Sequence, residues 1–225
     1  MIVQIYAFTH LEDVQTALTL GVDHLGFVAG KYDLVPGELS FAEARQIVET
    51  VAGRAVCVAL TMSEDVEEIL RMAAAVQPDI IHISTDVEAM GVDAMRELRR
   101  RLPAGMRLMK AVPVDDERSV ALAQQYAAVS DLLLLDTKVH GMPGVGATGR
   151  THDWNISRKI VESVAIPVIL AGGLTAENVA AAMGQVQPSG VDSNTATNVP
   201  GDAVEKDMRR VADFVRAARS AEEAA

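Results

Sequence analysis

The feature that most constrains this chain is a repeated alternation of short apolar runs with longer amphipathic stretches. Apolar, β-branched runs of strand length recur at residues 3–6, 24–28, 56–60, 80–83, 108–112, 132–135, 168–170 and 191–193. Segments with helical periodicity follow them at residues 11–20, 41–51, 64–76, 87–102, 119–126, 156–164, 176–183 and 203–218. The sequence therefore predicts eight consecutive strand–helix units.

Two α/β architectures are compatible with this alternation. Nearly continuous apolar strands, such as LLLL at residues 132–135, are typical of parallel strands covered on both faces. An open doubly wound sheet shows the same alternation, but eight units is the number at which a (β/α)8 TIM barrel closes, so we favour the barrel. We expect a single domain over residues 1–219 and a frayed tail at residues 220–225, because SAEEAA has no core-forming pattern.

The charge balance restricts the partners. With 31 acidic and 20 basic residues the net charge is −11, which argues against nucleic acid and against an anionic membrane surface. A small anionic ligand remains compatible, because backbone amides at helix N-termini bind anions without side-chain charge. The single cysteine, Cys57, excludes an intramolecular disulfide, and the N-terminus has no signal-peptide pattern. We therefore expect a cytoplasmic protein.

Glycine and polar residues follow the last two predicted strands. Gly172 and Gly173, in LAGGLTAENV, precede a predicted helix, where free N–H groups and the helix dipole attract a phosphate. Asn194 and Thr195, in GVDSNTATN, can complete that anion site. The alternatives are a simple tight turn for the glycines and ordinary loop hydrogen bonds for the polar residues.

A long glycine-rich connection, DTKVHGMPGVGATGRTHDW, follows the sixth predicted strand. Loops of this length usually serve a site. Asp136 lies at the strand end, where a carboxyl group can act as general acid or base, and Gly149 can meet a phosphate or sugar hydroxyl. Alternatively, Asp136 only caps the strand and the loop is merely flexible.

Two polar residues interrupt apolar strands. Lys110 and His82 can face the barrel interior near a ligand, and a desolvated Lys110 can form a Schiff base. The alternatives are a barrel-lining lysine paired with a carboxylate and a core histidine whose hydrogen bonds are satisfied. No HExxH, Cys/His cluster, GxSxG or P-loop pattern is present, so we expect neither a metal nor a cofactor.

Several motifs together resemble the phosphoribosylanthranilate isomerase family, nearly from end to end. They are LLLLDT, GATGRTHDW, LAGGLTAENV, GVD at residues 190–192 and PGDAVEKD at residues 200–207. The resemblance implies a TIM barrel that performs an Amadori rearrangement of a phosphorylated aminosugar in tryptophan biosynthesis. It also implies Asp136 as general acid, Asp192 beside the substrate, and phosphate near the loops already named.

Two positions depart from the family pattern. Tyr6 occupies the position of the family's general-base cysteine, and a phenol, with a pKa of about 10, is a poor base at neutral pH. After the second strand the family's substrate-binding arginine is missing, and Lys31 is the nearest cation. We therefore expect weak or absent turnover of the family's own substrate. Another phosphosugar epimerase or aldolase, and a non-catalytic phospholigand-binding barrel, remain as alternatives, and the protein is expected to be a monomer or homodimer.

Overall fold

Eight parallel strands form a closed barrel. The computed structural model describes residues 1–137, 144–146 and 151–224. The barrel strands are β1 (Ile2–Ile5), β2 (His24–Ala29), β3 (Val56–Thr61), β4 (Ile80–Ile83), β5 (Arg107–Pro113), β6 (Leu132–Asp136), β7 (Val168–Leu170) and β8 (Gly190–Ser193). Each strand pairs with its neighbours in chain order, and β1 pairs in parallel with both β2 and β8, which closes the sheet. The predicted (β/α)8 barrel is confirmed.

Helices alternate with the strands along the chain. Within the described residues they are α1 (Leu11–Thr19), α2 (Phe41–Val51), α3 (Val66–Val76), α4 (Val92–Arg101), α5 (Arg118–Ala127), α6 (Trp154–Ser163), α7 (Val179–Val186) and α8 (Met208–Glu223). A two-residue strand, Glu38–Leu39, extends the sheet beside β2 at the rim, and a short 3₁₀ helix, Thr195–Thr197, follows β8. None of the helices in the described part of the chain is long and apolar enough to cross a membrane.

Side chains of the strands alternate between two apolar layers. Residues such as Val58, Ile80 and Met109 fill the barrel interior. Their strand neighbours, among them Leu108 and Val112, pack outward against the helices. Because neighbouring residues of a strand point to opposite faces, every polar residue of the strands is assigned to one of these two layers by its position.

Two helices begin later than the sequence predicts. The segment before α7 forms a turn instead, in which the Thr175 N–H donates to Asn178 Oδ1 and the Glu177 N–H donates to Thr175 Oγ1. The residues predicted to begin α4 also form a turn, and Gly91 precedes the helix in an extended conformation. In the segment before α7, side-chain bonds to the backbone compete with the helix.

The last helix lies further along the chain than predicted. Its N-cap is Asp207, whose side chain accepts the Arg209 N–H at 2.9 Å. The helix continues to Glu223, beyond the predicted end of the barrel at residue 219. Ala221 packs against the core, and Glu222 pairs with the N-terminal amine, so contacts with the barrel extend over this segment.

Position 190, at the amino-terminal end of β8, requires a glycine. A Cβ there would lie 2.7 Å from Ile2 Cβ and 2.8 Å from the Ile2 carbonyl oxygen. We expect Gly190→Ala to lower the free energy of unfolding by about 1–3 kcal/mol through overpacking. A Cβ at Gly184, in α7, would have no neighbouring atom within 4 Å, so Gly184→Ala should instead stabilise by about 0.5–1 kcal/mol. Urea denaturation of both variants measures the difference, and equal effects would contradict it.

Candidate active site

A cavity of about 260 Å³ lies at the carboxyl-terminal ends of the strands. Its polar lining comes from residues at or just after strand ends, namely Tyr6, His82, Ser84, Asp136, Asp192, Asn194 and Thr195. The rest of the lining is mostly apolar, and we call these residues the aliphatic wall: Val28, Leu34, Val35, Leu60, Met62, Leu134, Val145 and Val204. The cavity therefore offers a ligand both polar groups and apolar surface.

Part of the apolar wall is held in place by one carboxylate. Glu38 accepts backbone N–H groups from Tyr32, Asp33, Leu34 and Val35, at 2.6 to 3.2 Å. These bonds fix the loop that carries Leu34 and Val35 into the cavity wall. They also occupy amides that would otherwise be free to bind an anion.

Asp136 is the last residue of β6 and is 8% exposed. Its Oδ1 accepts the backbone N–H of Thr137 at 2.7 Å. Residues 144–146 of the following loop are bonded to the residue after β4: the Val145 N–H donates to the Ser84 carbonyl oxygen at 2.9 Å, and Ser84 Oγ donates to the Val145 carbonyl oxygen at 2.8 Å. The predicted carboxyl group therefore lines the cavity, and residues 144–146 of the following loop are tied to the end of β4, two strands away.

Tyr6 and His82 form a buried pair. The Tyr6 hydroxyl lies 2.9 Å from His82 Nδ1. Burial, together with the charge of Asp192, raises the pKa of Tyr6 well above its usual range. Burial and the nearby Lys110 lower the pKa of His82 to about 3. Both side chains are consequently neutral at neutral pH, so the phenol at the family's base position stays protonated.

Asp192 belongs to a hydrogen-bonded row across three strands. Its Oδ1 accepts from Gln4 Nε2 at 3.1 Å, and Gln4 Oε1 lies 3.0 Å from His24 Nδ1. Burial raises the pKa of Asp192 to about 8, helped by the charge of Asp136 and opposed by Gln4 and Lys206. Asp192 was expected beside the substrate, whereas Gln4 was missed, because its only signal is a polar side chain within an apolar strand.

The predicted phosphate loops follow β7 and β8, which are neighbours in the barrel. Gly172 and Gly173 have φ of +85° and +62°, conformations that favour glycine. Asn194 and Thr195 line the cavity, whereas the two glycines lie outside its lining. Gly149 is outside the described residues, so its predicted role stays a prediction.

Lys206 supports the loop after β8 and was not predicted from the sequence. Its amine donates to the backbone carbonyl and the side-chain Oδ1 of Asn194, both at 3.1 Å, and to Thr197 and Asn198. Burial lowers the pKa of Lys206 to about 7. Its place in the motif PGDAVEKD was the only available signal.

Two predicted site lysines lie away from the cavity. Lys110 is fully buried on the outer face of β5, where its amine donates to the Thr85 carbonyl at 2.6 Å and lies 5.6 Å from the centre of the Tyr126 ring. The prediction that Lys110 faces the interior is wrong, because its strand neighbours Met109 and Ala111 occupy that face. Lys31 is exposed and pairs with Glu43 at 2.9 Å, so it does not line the cavity either.

Fold and site together define a class of protein. Barrels that place acid–base groups and glycine-rich loops at the carboxyl ends of their strands are enzymes that act on a small ligand held there. Residues 3–217 match the family model described as N-(5'-phosphoribosyl)anthranilate (PRA) isomerase. The chain belongs to this family and is an isomerase.

Individual relatives agree with the family model. An N-(5'-phosphoribosyl)anthranilate isomerase of Methanothrix thermoacetophila is 34% identical over 92% of this chain and 93% of its own length. A dimeric isomerase of Thermotoga maritima, solved as monomers, has a TM-score of 0.78 at 27% identity, covering 98% of this chain and all of its own. The names of these relatives do not favour the alternatives raised from the sequence, namely an epimerase, an aldolase or a non-catalytic barrel. They do not favour the expected loss of turnover either.

A third relative was solved with a ligand. It is a phosphoribosyl anthranilate isomerase in complex with reduced 1-(o-carboxyphenylamino)-1-deoxyribulose 5-phosphate. Its TM-score is 0.76 at 26% identity, and the match covers 98% of this chain and all of the other. That relative binds a phosphorylated, aromatic sugar derivative.

Lys110→Met tests the corrected position of the lysine. We expect kcat to stay nearly unchanged because the amine lies outside the cavity. The free energy of unfolding should fall by about 1–3 kcal/mol because buried carbonyl groups lose a donor. Steady-state kinetics and urea denaturation measure the two quantities, and trapping of a substrate adduct on Lys110 with borohydride would contradict this placement.

Gly146→Ala tests the close approach of the loop to Asp136. A Cβ at position 146 would lie 2.4 Å from Asp136 Oδ2, so the carboxyl group must move and kcat should fall. Gly201→Ala is the matched control, since Gly201 also has a positive φ, +86°, but no atom within 4 Å of the Cβ position. Steady-state kinetics of both variants decide the matter. An equal fall of kcat in the two variants would show that backbone strain, not the contact with Asp136, causes the loss. An unchanged kcat in Gly146→Ala would contradict the close approach.

Proposed function

We propose that this protein converts N-(5'-phosphoribosyl)anthranilate into its ketose isomer by an Amadori rearrangement, a step of tryptophan biosynthesis. The observation that carries the proposal is the position of Asp136. It lines one cavity together with an aliphatic wall and with Asn194 and Thr195 of the predicted phosphate loop. A general acid, an aromatic-binding surface and a phosphate site are three of the parts that this reaction needs.

The phosphate of the substrate binds at the loops after β7 and β8 in this proposal. Asn194 and Thr195 lie at the start of the 3₁₀ helix, and Lys206 holds Asn194 through two hydrogen bonds. Gly172 and Gly173, in the neighbouring loop, have positive φ, a backbone conformation that lets N–H groups of a loop converge on an anion. Gly149 joins them as a further predicted contact.

The anthranilate ring binds against the aliphatic wall. Leu34 and Val35 come from the loop fixed by Glu38, and Leu60 and Met62 come from the end of β3. Such side chains bury an aromatic ring favourably through the hydrophobic effect. The ribose then spans the distance from this wall to the phosphate loops and passes Asp136.

Asp136 acts as the general acid. A proton given to the ribose ring oxygen allows the bond from C1 to that oxygen to break, and the nitrogen lone pair forms an imine. The same carboxyl group can later accept the proton of the C2 hydroxyl as the ketone forms. His82 lines the same cavity, next to Tyr6, and contacts the substrate as a neutral side chain.

We further propose a cytoplasmic monomer or homodimer that acts on a small phosphorylated substrate without nucleic-acid or membrane partners. The net charge of −11 and the single cysteine support this setting. Light scattering coupled to size-exclusion chromatography distinguishes the two oligomeric states.

Purified protein supplied with phosphoribosylanthranilate tests the function directly. The change in anthranilate absorbance or fluorescence reports turnover. We expect Asp136→Asn to lower kcat by about 10²–10⁴-fold, the usual contribution of a general acid. Asp115→Asn is the matched control, because Asp115 is an exposed aspartate two residues after β5 and is outside the cavity lining.

Two results would contradict this function. One is a wild-type protein that neither turns over phosphoribosylanthranilate nor binds a stable analogue of the ketose product. The other is an Asp136→Asn variant as active as Asp115→Asn.

A further inference from the structure

The isomerisation requires a base, and the position where the family has a cysteine does not provide one. A proton must leave C2 of the sugar after the ring opens. Tyr6 is buried, stays protonated at neutral pH and shares its hydroxyl with His82. His82 binds a proton only near pH 3. Another group of the cavity must therefore take the proton.

Asp192 lines the cavity and has an oxygen available. Its Oδ1 accepts from Gln4, and Oδ2 accepts no hydrogen bond from the residues that the structure describes. Gln4 is itself oriented by His24, so the amide group presents its NH₂ side to the carboxylate. The side chain is thus held through one oxygen while the other is left for a ligand.

The strand register places Asp192 at the same height in the barrel as Asp136, the general acid. Leu135 of β6 pairs with Leu170 of β7, and Leu170 pairs with Val191 of β8. Asp136 and Asp192 each come one residue later, on the same interior face, with a single strand between them. Two strand spacings amount to about 10 Å, and curvature of the barrel shortens that distance. The gap suits a sugar chain lying between two carboxyl groups.

We propose that Asp192 is the catalytic base that removes the C2 proton, opposite Asp136 as the acid. This inference rests on the proposed function. It assigns to the strand β8 carboxylate the step that the family assigns to the residue after strand β1. With this assignment, a member of the isomerase family can catalyse the reaction without a cysteine after strand β1.

The proton transfers balance over the reaction. Asp136 gives its proton to the ring oxygen as the C1–O bond breaks and C1=N forms. Ionised Asp192 then takes the C2 proton, the C2–H electron pair forms C1=C2, and the C=N pair returns to nitrogen. Finally, Asp192 gives its proton to C1 while the C2 hydroxyl returns a proton to Asp136, which leaves the ketose and both carboxyl groups in their initial states.

The surroundings of Asp192 make it a stronger base than an ordinary aspartate. Its pKa of about 8 lies near neutral pH, and a general base is most effective when its pKa is close to the working pH. The groups that face it are Tyr6 from β1, Asp136 from β6 and Lys206 from the segment before α8. His24 contacts it only through the Gln4 amide and, with a pKa of about 4, is neutral in this range.

The pH dependence of kcat in the wild-type protein provides a first test. Because the cycle needs Asp192 ionised while Asp136 keeps its proton, kcat should rise with pH toward about 8 and fall again at higher pH, where both carboxyl groups are ionised. Lys206, with a pKa of about 7, loses its positive charge as the pH rises, so binding of the substrate should weaken over the same range. The rising limb should persist in Tyr6→Phe. A kcat that is flat from pH 6 to 9 would overturn the proposal, as would a limb that Tyr6→Phe removes.

Asp192→Asn provides the second test, because asparagine keeps an oxygen for Gln4 but cannot take a proton. We expect kcat to fall by about 10²–10⁴-fold with KM changed much less, and Tyr6→Phe to cause a smaller loss. In the double variant Tyr6→Cys with Asp192→Asn, the thiol should restore part of kcat, with a rising limb near the thiol pKa of about 8.5.

These measurements separate the two proposals. Absence of turnover by the wild-type protein would refute the function itself. Wild-type turnover together with an Asp192→Asn variant that keeps more than a tenth of kcat would refute only the role of Asp192, and so would an equal loss in Tyr6→Phe. If Asp192→Asn does not fold, the wild-type and Tyr6→Phe pH profiles decide.

Discussion

The closure of the parallel sheet is the constraint on which the rest of the structure depends. Strand β1 is hydrogen-bonded to β2 on one side and β8 on the other, so no barrel strand is left with an open edge. Closure turns one face of every strand toward a common axis. The last interior side chains of the strands then meet at one mouth, which is why Tyr6, Asp136 and Asp192 share a cavity although they are far apart in the chain.

Burial in this interior decides which side chains carry charge. Removing a group from water disfavours its ionised form, so the pKa of His82 falls to about 3 and that of Asp192 rises to about 8. The hydrogen bonds of Gln4 and Tyr6 satisfy part of these buried polar groups. The same desolvation that keeps the phenol at position 6 inactive thus makes a nearby aspartate a more effective base.

Much of the fold was predictable because it depends on local periodicity. The strand segments were predicted to within two residues at each end, and the start of α2 at Phe41 follows the capping box of Ser40 and Glu43. The orientation of Lys110 was not predictable. A strand that is buried on both faces has a nearly continuous run of apolar residues. The sequence RLMKAV therefore does not indicate whether Lys110 points toward the barrel axis or toward the helices.

By itself, the sequence determined the eight strand–helix units, the glycine pair that adopts positive φ at positions 172 and 173, and a carboxyl group at the end of β6. Only the tertiary structure decided that Tyr6 bonds to His82, that Asp192 lies level with Asp136, and that Lys206 holds Asn194. The physical reason is that these contacts depend on the register between strands and on loops that return to the mouth. Local periodicity predicts that a strand forms, but not the height at which it pairs with its neighbours.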